Sequence, residues 1–141
     1  MGYKLFLDTN IVVDYFIADR STHEDAIALF TKISNMEVKA YFSESVINTA
    51  SYLIRKHVSS SDLKIVMMDL LNYIQVLPCS NLIISEAYTN AANDLEEAVL
   101  YQIALRGKMD YFITSNIKDF KKIKLPSVEV LSAKQFLQVF N

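Results

Sequence analysis

The chain has 141 residues, 52% of them hydrophobic and 21% charged, with 14 Lys and Arg set against 16 Asp and Glu for a net charge of −2. That size suits a single domain over residues 1–141 with a sizeable core, and the near balance of charge excludes a dominating basic surface. One cysteine, Cys79, excludes an intramolecular disulfide framework and a cysteine-rich zinc site. No apolar run reaches the roughly 18 residues of a membrane span. The start, Met1-Gly2-Tyr3-Lys4, shows no signal peptide, so the expected compartment is the cytoplasm.

In chain order, Lys4–Leu7 reads as a buried strand. Asn10 then starts a helix containing Ile11, Val12 and Val13. Ser21-Thr22-His23-Glu24 has the form of a capping box, opening a helix toward Ile33. Val38–Phe42 is a second strand, and Val46, Ile47, Ala50, Leu53 and Ile54 form a helical stripe after it. Leu63 to Tyr73 is helical, Ile74–Leu77 is a strand, and Leu82 to Ala92 is helical again. Asp94-x-x-Glu97 opens a helix to Arg106 that Gly107 closes as a left-handed cap. Tyr111–Ile113 and Val128–Leu131 are the last strands, and Ser132-x-x-Gln135 opens a final helix ending near Phe140. Strands separated by helices predict βαβ units, a mainly parallel sheet and a three-layer α/β/α sandwich.

In such sheets functional groups gather at the carboxyl edge, where strands end and helices begin. Asp8 and Asn10 stand there after the first strand. A carboxylate at that place can bind a hard divalent cation, and either residue can equally serve as a helix cap. Asp14 lies one turn further on, open to two readings: an approach to the same edge, or a solvated surface carboxylate. Asp94 and Glu97 begin a later helix, with Glu97 beside the apolar stripe of Ala98, Tyr101, Ala104 and Leu105; acids in a first turn also suit the helix dipole. Thr114 and Asn116 follow the fourth strand, then Lys118 and Asp119. His23 and His57 have no paired Cys or His, Cys79 reads as a small packing residue, and most of the 8 Tyr and 8 Phe sit inside strands or helical stripes and read as core rather than as base-stacking groups.

Taken in order, Leu7-Asp8-Thr9-Asn10-Ile11, the acidic helix start at Glu97 and Thr114-Ser115-Asn116 with Asp119-Phe120 resemble the PIN-domain family of metal-dependent ribonucleases, many of them toxins of bacterial toxin–antitoxin pairs. The resemblance covers nearly the whole chain. It implies that Asp8 and Glu97 hold Mg²⁺ or Mn²⁺, with Asn116 and Thr114 orienting water or phosphate oxygens. Asn10, Asp14, Thr49, Asp94 and Asp119 are implied as supporting residues. The family's acid after the second strand falls on Thr49, and its fourth acid, in a Thr-x-Asp pattern, falls on Asn116. Two of four family acids therefore remain as carboxylates. Glu44 lies opposite the apolar stripe of its helix and is a poor substitute.

The chemistry implied is in-line hydrolysis of an RNA phosphodiester by a water that a divalent ion makes more acidic. RNA-backbone contacts are expected from Lys118, Lys121, Lys122 and Lys124, and further from Arg55, Lys56, Arg106 and Lys108. An antitoxin protein and a second copy of the chain are the expected partners. A phosphoryl-transfer enzyme with an aspartyl nucleophile also starts with strand-Asp, but it needs a second acid where Asn10 stands. Two glycines cannot build a Rossmann phosphate loop. The remaining alternative is a PIN-fold module that has lost catalysis and binds RNA or protein.

Overall fold

The computed structural model describes residues 2–90, 94–120 and 127–140. Five strands, β1 (Lys4–Leu7), β2 (Lys39–Ser43), β3 (Ile74–Leu77), β4 (Tyr111–Ile113) and β5 (Glu129–Leu131), form one sheet in the order β3-β2-β1-β4-β5. Every neighbouring pair is parallel, with Phe6 opposite Tyr41 on one side and opposite Phe112 on the other. Central β1 is covered on both faces, and its Leu5, Phe6 and Leu7 are all fully buried, which is why its sequence reads as an unbroken apolar run. Edge strand β3 exposes Gln75 and Val76, and edge strand β5 exposes Glu129.

The helices α1 (Thr9–Phe16) and α2 (His23–Ser34) link β1 to β2, and α3 (Glu44–Ile54) and α4 (Ser60–Leu70) link β2 to β3. The chain then reverses across the sheet through α5 (Asn81–Asn90) and α6 (Leu95–Arg106) to reach β4. After α7 (Ile117–Phe120) and β5, α8 (Ala133–Phe140) returns to pack on α2. Right-handed crossovers put helices on opposite faces when the direction of travel reverses, giving the expected three layers. Helix α6 is buried from Leu100 through Ala104, and the Tyr101 hydroxyl donates to the Val128 carbonyl at 2.9 Å, tying the helix to the approach of β5. None of the helices among the described residues is long and apolar enough to cross a membrane.

Three local expectations need correction. Thr22 precedes α2 but makes no side-chain cap, so the Ser21–Glu24 box is not formed. Instead His23 Nδ1 lies 2.7 Å from the Asp14 carbonyl, so a tertiary contact to α1 sets where α2 begins. Gly107 caps α6 with φ −77°, a right-handed value, and the left-handed residue is Lys108 at φ 58°. A Cβ at Gly107 would meet the Ile103 carbonyl oxygen and a Leu77 methyl at 3.2 Å, so close packing explains the glycine there. Cys79 is exposed rather than packed, and Tyr52, Tyr73 and Tyr88 are exposed as well. The Ser132–Gln135 box does form: each backbone N–H donates to the other's side-chain oxygen at 3.0 Å.

Candidate functional site at the switch between β1 and β4

Strands are added to one side of β1 as β2 and β3 and then to the other side as β4 and β5, and parallel sheets open a crevice at the carboxyl ends of the strand pair where that order switches. Asp8 leaves β1 there and Thr114 leaves β4. Their backbones are fixed first: the Asp8 N–H donates to the Ile113 carbonyl at 2.9 Å, and the Thr114 N–H to the Leu131 carbonyl at 3.0 Å.

The side chains then interlock. Asp8 Oδ1 accepts from the Thr9 N–H at 2.8 Å, which makes Asp8 the cap of α1. Its Oδ2 accepts from the Thr114 hydroxyl at 2.7 Å and from Asn10 Nδ2 at 3.3 Å. Asn10 Oδ1 in turn accepts from the Ser115 N–H at 3.1 Å, and Thr114 Oγ1 accepts from the Asn116 N–H at 3.0 Å. Asn10 and Thr114 thus clamp the turn after β1 to the loop after β4. The capping and functional readings of Asp8 coexist, because one carboxylate oxygen caps the helix while the other faces the β4 loop.

Asp8 is 4% exposed and Thr114 fully buried. Burial pushes the Asp8 carboxyl above the usual carboxylate range; the bonds from Thr114, Thr9 and Asn10 pull it back down, and the charge of Glu96 raises it.

In front of Asp8 lies a cleft of about 220 Å³, lined by Asp8, Thr9, Asn10 and Val13 together with Asp94, Glu96, Glu97, Leu100, Asn116, Arg20 and Leu53. Asp94 caps α6, its Oδ1 accepting from the Glu97 N–H at 3.0 Å, and so sets the acidic first turn against the cleft. Asp8, Glu97, Asn116, Asn10 and Asp94 are therefore brought together as the sequence suggested. Among the described residues no three Asp, Glu, His or Cys side chains already converge on one metal-sized point.

Other expected residues fall elsewhere. Thr49 does not line the cleft but reaches it indirectly, its hydroxyl donating to Glu96 Oε1 at 3.4 Å. Glu44 is exposed in the first turn of α3. Asp14 is neither solvated nor in the cleft: it is fully buried in α1, and its Oδ1 accepts from Arg20 Nε. An apolar surrounding cannot leave a carboxylate without a partner, and Arg20 supplies one. Lys118 is exposed on α7; Lys121, Lys122, Lys124 and the side chain of Asp119 lie outside the described residues.

Arg55 and Lys56 follow α3, and Arg106 and Lys108 follow or end α6. None of these four cations lines the cleft, although Leu53, two residues before Arg55, does. Arg106 is further occupied by Glu86, its Nε donating at 3.0 Å. Glu96 and Arg20 are cleft residues that the sequence did not single out. Glu96 sat in plain view inside Asp94-Leu95-Glu96-Glu97, whereas Arg20 belongs to no local pattern.

The family model of the PIN domain matches residues 4–118. Ribonuclease VapC1 of Aquifex aeolicus (strain VF5) is 25% identical over 146 residues, a match covering 98% of this chain and 96% of the relative. Among solved structures, VapBC2 from Rickettsia felis bound to a DNA fragment from its promoter matches with a TM-score of 0.67 at 18% identity, covering 92% of this chain and 98% of the other. The Mycobacterium tuberculosis toxin VapC20, which cleaves the sarcin–ricin loop, matches with a TM-score of 0.62 at 11% identity over 77% of this chain and 86% of its own.

Proposed function

The chain belongs to the PIN domain family, and from that premise we propose that it is a toxin-type, metal-dependent ribonuclease hydrolysing RNA phosphodiester bonds in the cleft over Asp8. The observation that carries this reading is the buried Asp8 carboxylate, held by three donors at the switch point and facing a cleft that Glu97 and Asn116 also line. The name of the curated relative, a ribonuclease matched along almost its full length, supports it.

The donor set suits a small hard cation. It is all oxygen from carboxylate and amide groups, and Mg²⁺ is commonly held by one or two carboxylates completed by waters and substrate phosphate. We assign Asp8 and Glu97 as the residues that would hold Mg²⁺ or Mn²⁺. Bound there, the ion supplies neutralisation of phosphate charge and a more acidic water. The protein's own contribution is positional. The Thr114 hydroxyl and Asn10 amide fix the Asp8 carboxylate, so little reorganisation is left for the reaction. Asn116, anchored through its N–H to Thr114, offers its side-chain amide to a phosphate oxygen or water at the cleft. Asp94 sets the turn that carries Glu97. Lys118, Lys121 and Lys122 are the proposed outer contacts to the RNA backbone.

We further propose an antitoxin protein as partner, self-association of the chain, and a cytoplasmic location. A second reading, a weakened or inactive RNA- or protein-binding module, is favoured by Thr49 and Asn116, which stand where the family has acids. Incubation with a pool of structured RNAs in Mn²⁺, with and without EDTA, separates the two. The nuclease reading expects cleavage that the chelator abolishes; intact RNA in both arms would leave the binding module.

A further inference from the structure

Arg20 stands in the loop between α1 and α2 and is the only cation that lines the cleft among the described residues. Four acids, Asp8, Asp94, Glu96 and Glu97, line the same cleft. A polyanion entering it meets these acids, and among the described residues Arg20 is the positive charge that answers it.

The loop holds Arg20 in place. Its N–H donates to the Ile17 carbonyl at 3.2 Å, its carbonyl accepts from the His23 N–H at 3.0 Å, and the His23 ring contacts the Asp14 carbonyl at 2.7 Å. The guanidinium is held too: Nε donates to Oδ1 of the fully buried Asp14. Both terminal amino groups make no hydrogen bond among the described residues, and the side chain remains 43% exposed on the cleft side of the pair. Asp14 therefore acts as an anchor behind the arginine, which spends one N–H on the protein and keeps its outer fork.

We propose that Arg20 is the phosphate-binding arm of the cleft, gripping the non-bridging oxygens of an RNA phosphate with its two terminal amino groups while Asp14 holds Nε. A planar fork of N–H groups matches phosphate oxygens in pairs, which a lysine cannot do. This rests on the ribonuclease reading above and adds the group that binds the strand.

The test is fluorescence anisotropy of a labelled single-stranded 2′-O-methyl RNA with the full chain in Ca²⁺ over a series of NaCl concentrations, strand integrity being checked on a gel. Arg20→Gln alone would strand a buried carboxylate, so the informative variant is Arg20→Gln combined with Asp14→Asn, with folding verified by circular dichroism. Losing a paired charge-assisted contact should weaken binding by roughly tenfold. The slope of log affinity against log salt should shrink by about 0.7, the value for one single-strand phosphate contact. Arg20→Lys, which keeps the charge and the anchored pair, should weaken binding but keep the wild-type slope.

A folded double variant with wild-type affinity and slope would overturn the assignment, and so would a lysine variant whose slope falls. A wild type that cleaves RNA while the Arg20 variants bind it unchanged defeats this inference alone. A wild type that neither binds nor cleaves RNA defeats the ribonuclease reading with it.

Discussion

Replacing Thr114 by Val tests how the Asp8 carboxylate is held. The exchange conserves shape in a fully buried position and deletes one hydroxyl. That hydroxyl donates to Asp8 Oδ2 at 2.7 Å and accepts from the Asn116 N–H at 3.0 Å. A hydrogen bond to a charged group contributes about 1.5–3 kcal/mol. The orphaned Asn116 N–H adds little, because Asn116 is exposed and water can reach it. The added methyl recovers at most ~0.8 kcal/mol. The net loss should be about 2 kcal/mol, or a fall in Tm of roughly 5–8 °C for a chain of this length.

The loss should also depend on pH. Burial raises the Asp8 pKa above its unfolded value of 3.8, so below that value the folded carboxyl is mostly protonated and the deleted bond is an ordinary one, worth about 1 kcal/mol. Urea unfolding in EDTA at pH 7.5 and at about pH 3.5, below the unfolded value of 3.8, with Thr114→Ser as the variant that keeps the hydroxyl, measures both quantities. The clamp is refuted if Val and Ser match within about 0.5 kcal/mol at pH 7.5, or if the Val–Ser difference is the same at both pH values.

Asp8→Asn should change the pH profile of the metal-free protein. A carboxyl whose folded pKa is raised contributes stability that is present below its unfolded value of 3.8 and lost as pH rises through the folded value. In EDTA the variant should therefore gain on wild type from about pH 4 upward, and parallel stability–pH curves would contradict this. Asn116→Asp should lower metal-free stability by adding a charge at the cleft, and should raise Mn²⁺ affinity by roughly tenfold in calorimetry; an unchanged affinity would remove Asn116 from the site. Self-association is expected through the exposed Ile65, Met68 and Leu71 of α4 and its end, and Ile65→Lys should dissociate it; sedimentation of wild type at 16.1 kDa alone at micromolar concentration would count against it.

Much of the fold was legible because the sheet is parallel and covered on both faces. Three strands, β1, β3 and β4, start and stop at the residues expected from the sequence. Strand β2 instead begins one residue late, at Lys39, and extends to Ser43. The Asp8–Asn10 and Thr114–Asn116 segments could be found from the sequence because each follows such a strand directly.

Tertiary features were less legible. The α2 start is set by His23 meeting α1, and Gly107 by how closely Leu77 and Ile103 approach, neither of which is a local property. Asp14 was open to two readings, a place at the carboxyl edge or a solvated carboxylate, and its burial and its partner Arg20 fit neither because both come from the loop between α1 and α2. Glu96 was passed over in favour of its neighbour Glu97, since sequence alone does not tell which side chains of an acidic first turn meet the cleft.

RNA cleavage in the cleft over Asp8 with a divalent ion is the proposed activity. It is tested most directly by single-turnover cleavage of one susceptible RNA in Mn²⁺, comparing wild type with Asp8→Asn after both are shown to be folded. Wild type should cleave the RNA until EDTA stops it, and the variant should lose at least about a hundredfold, the scale on which a metal ligand or its support matters. Equal rates for the two proteins would place the reaction outside this cleft.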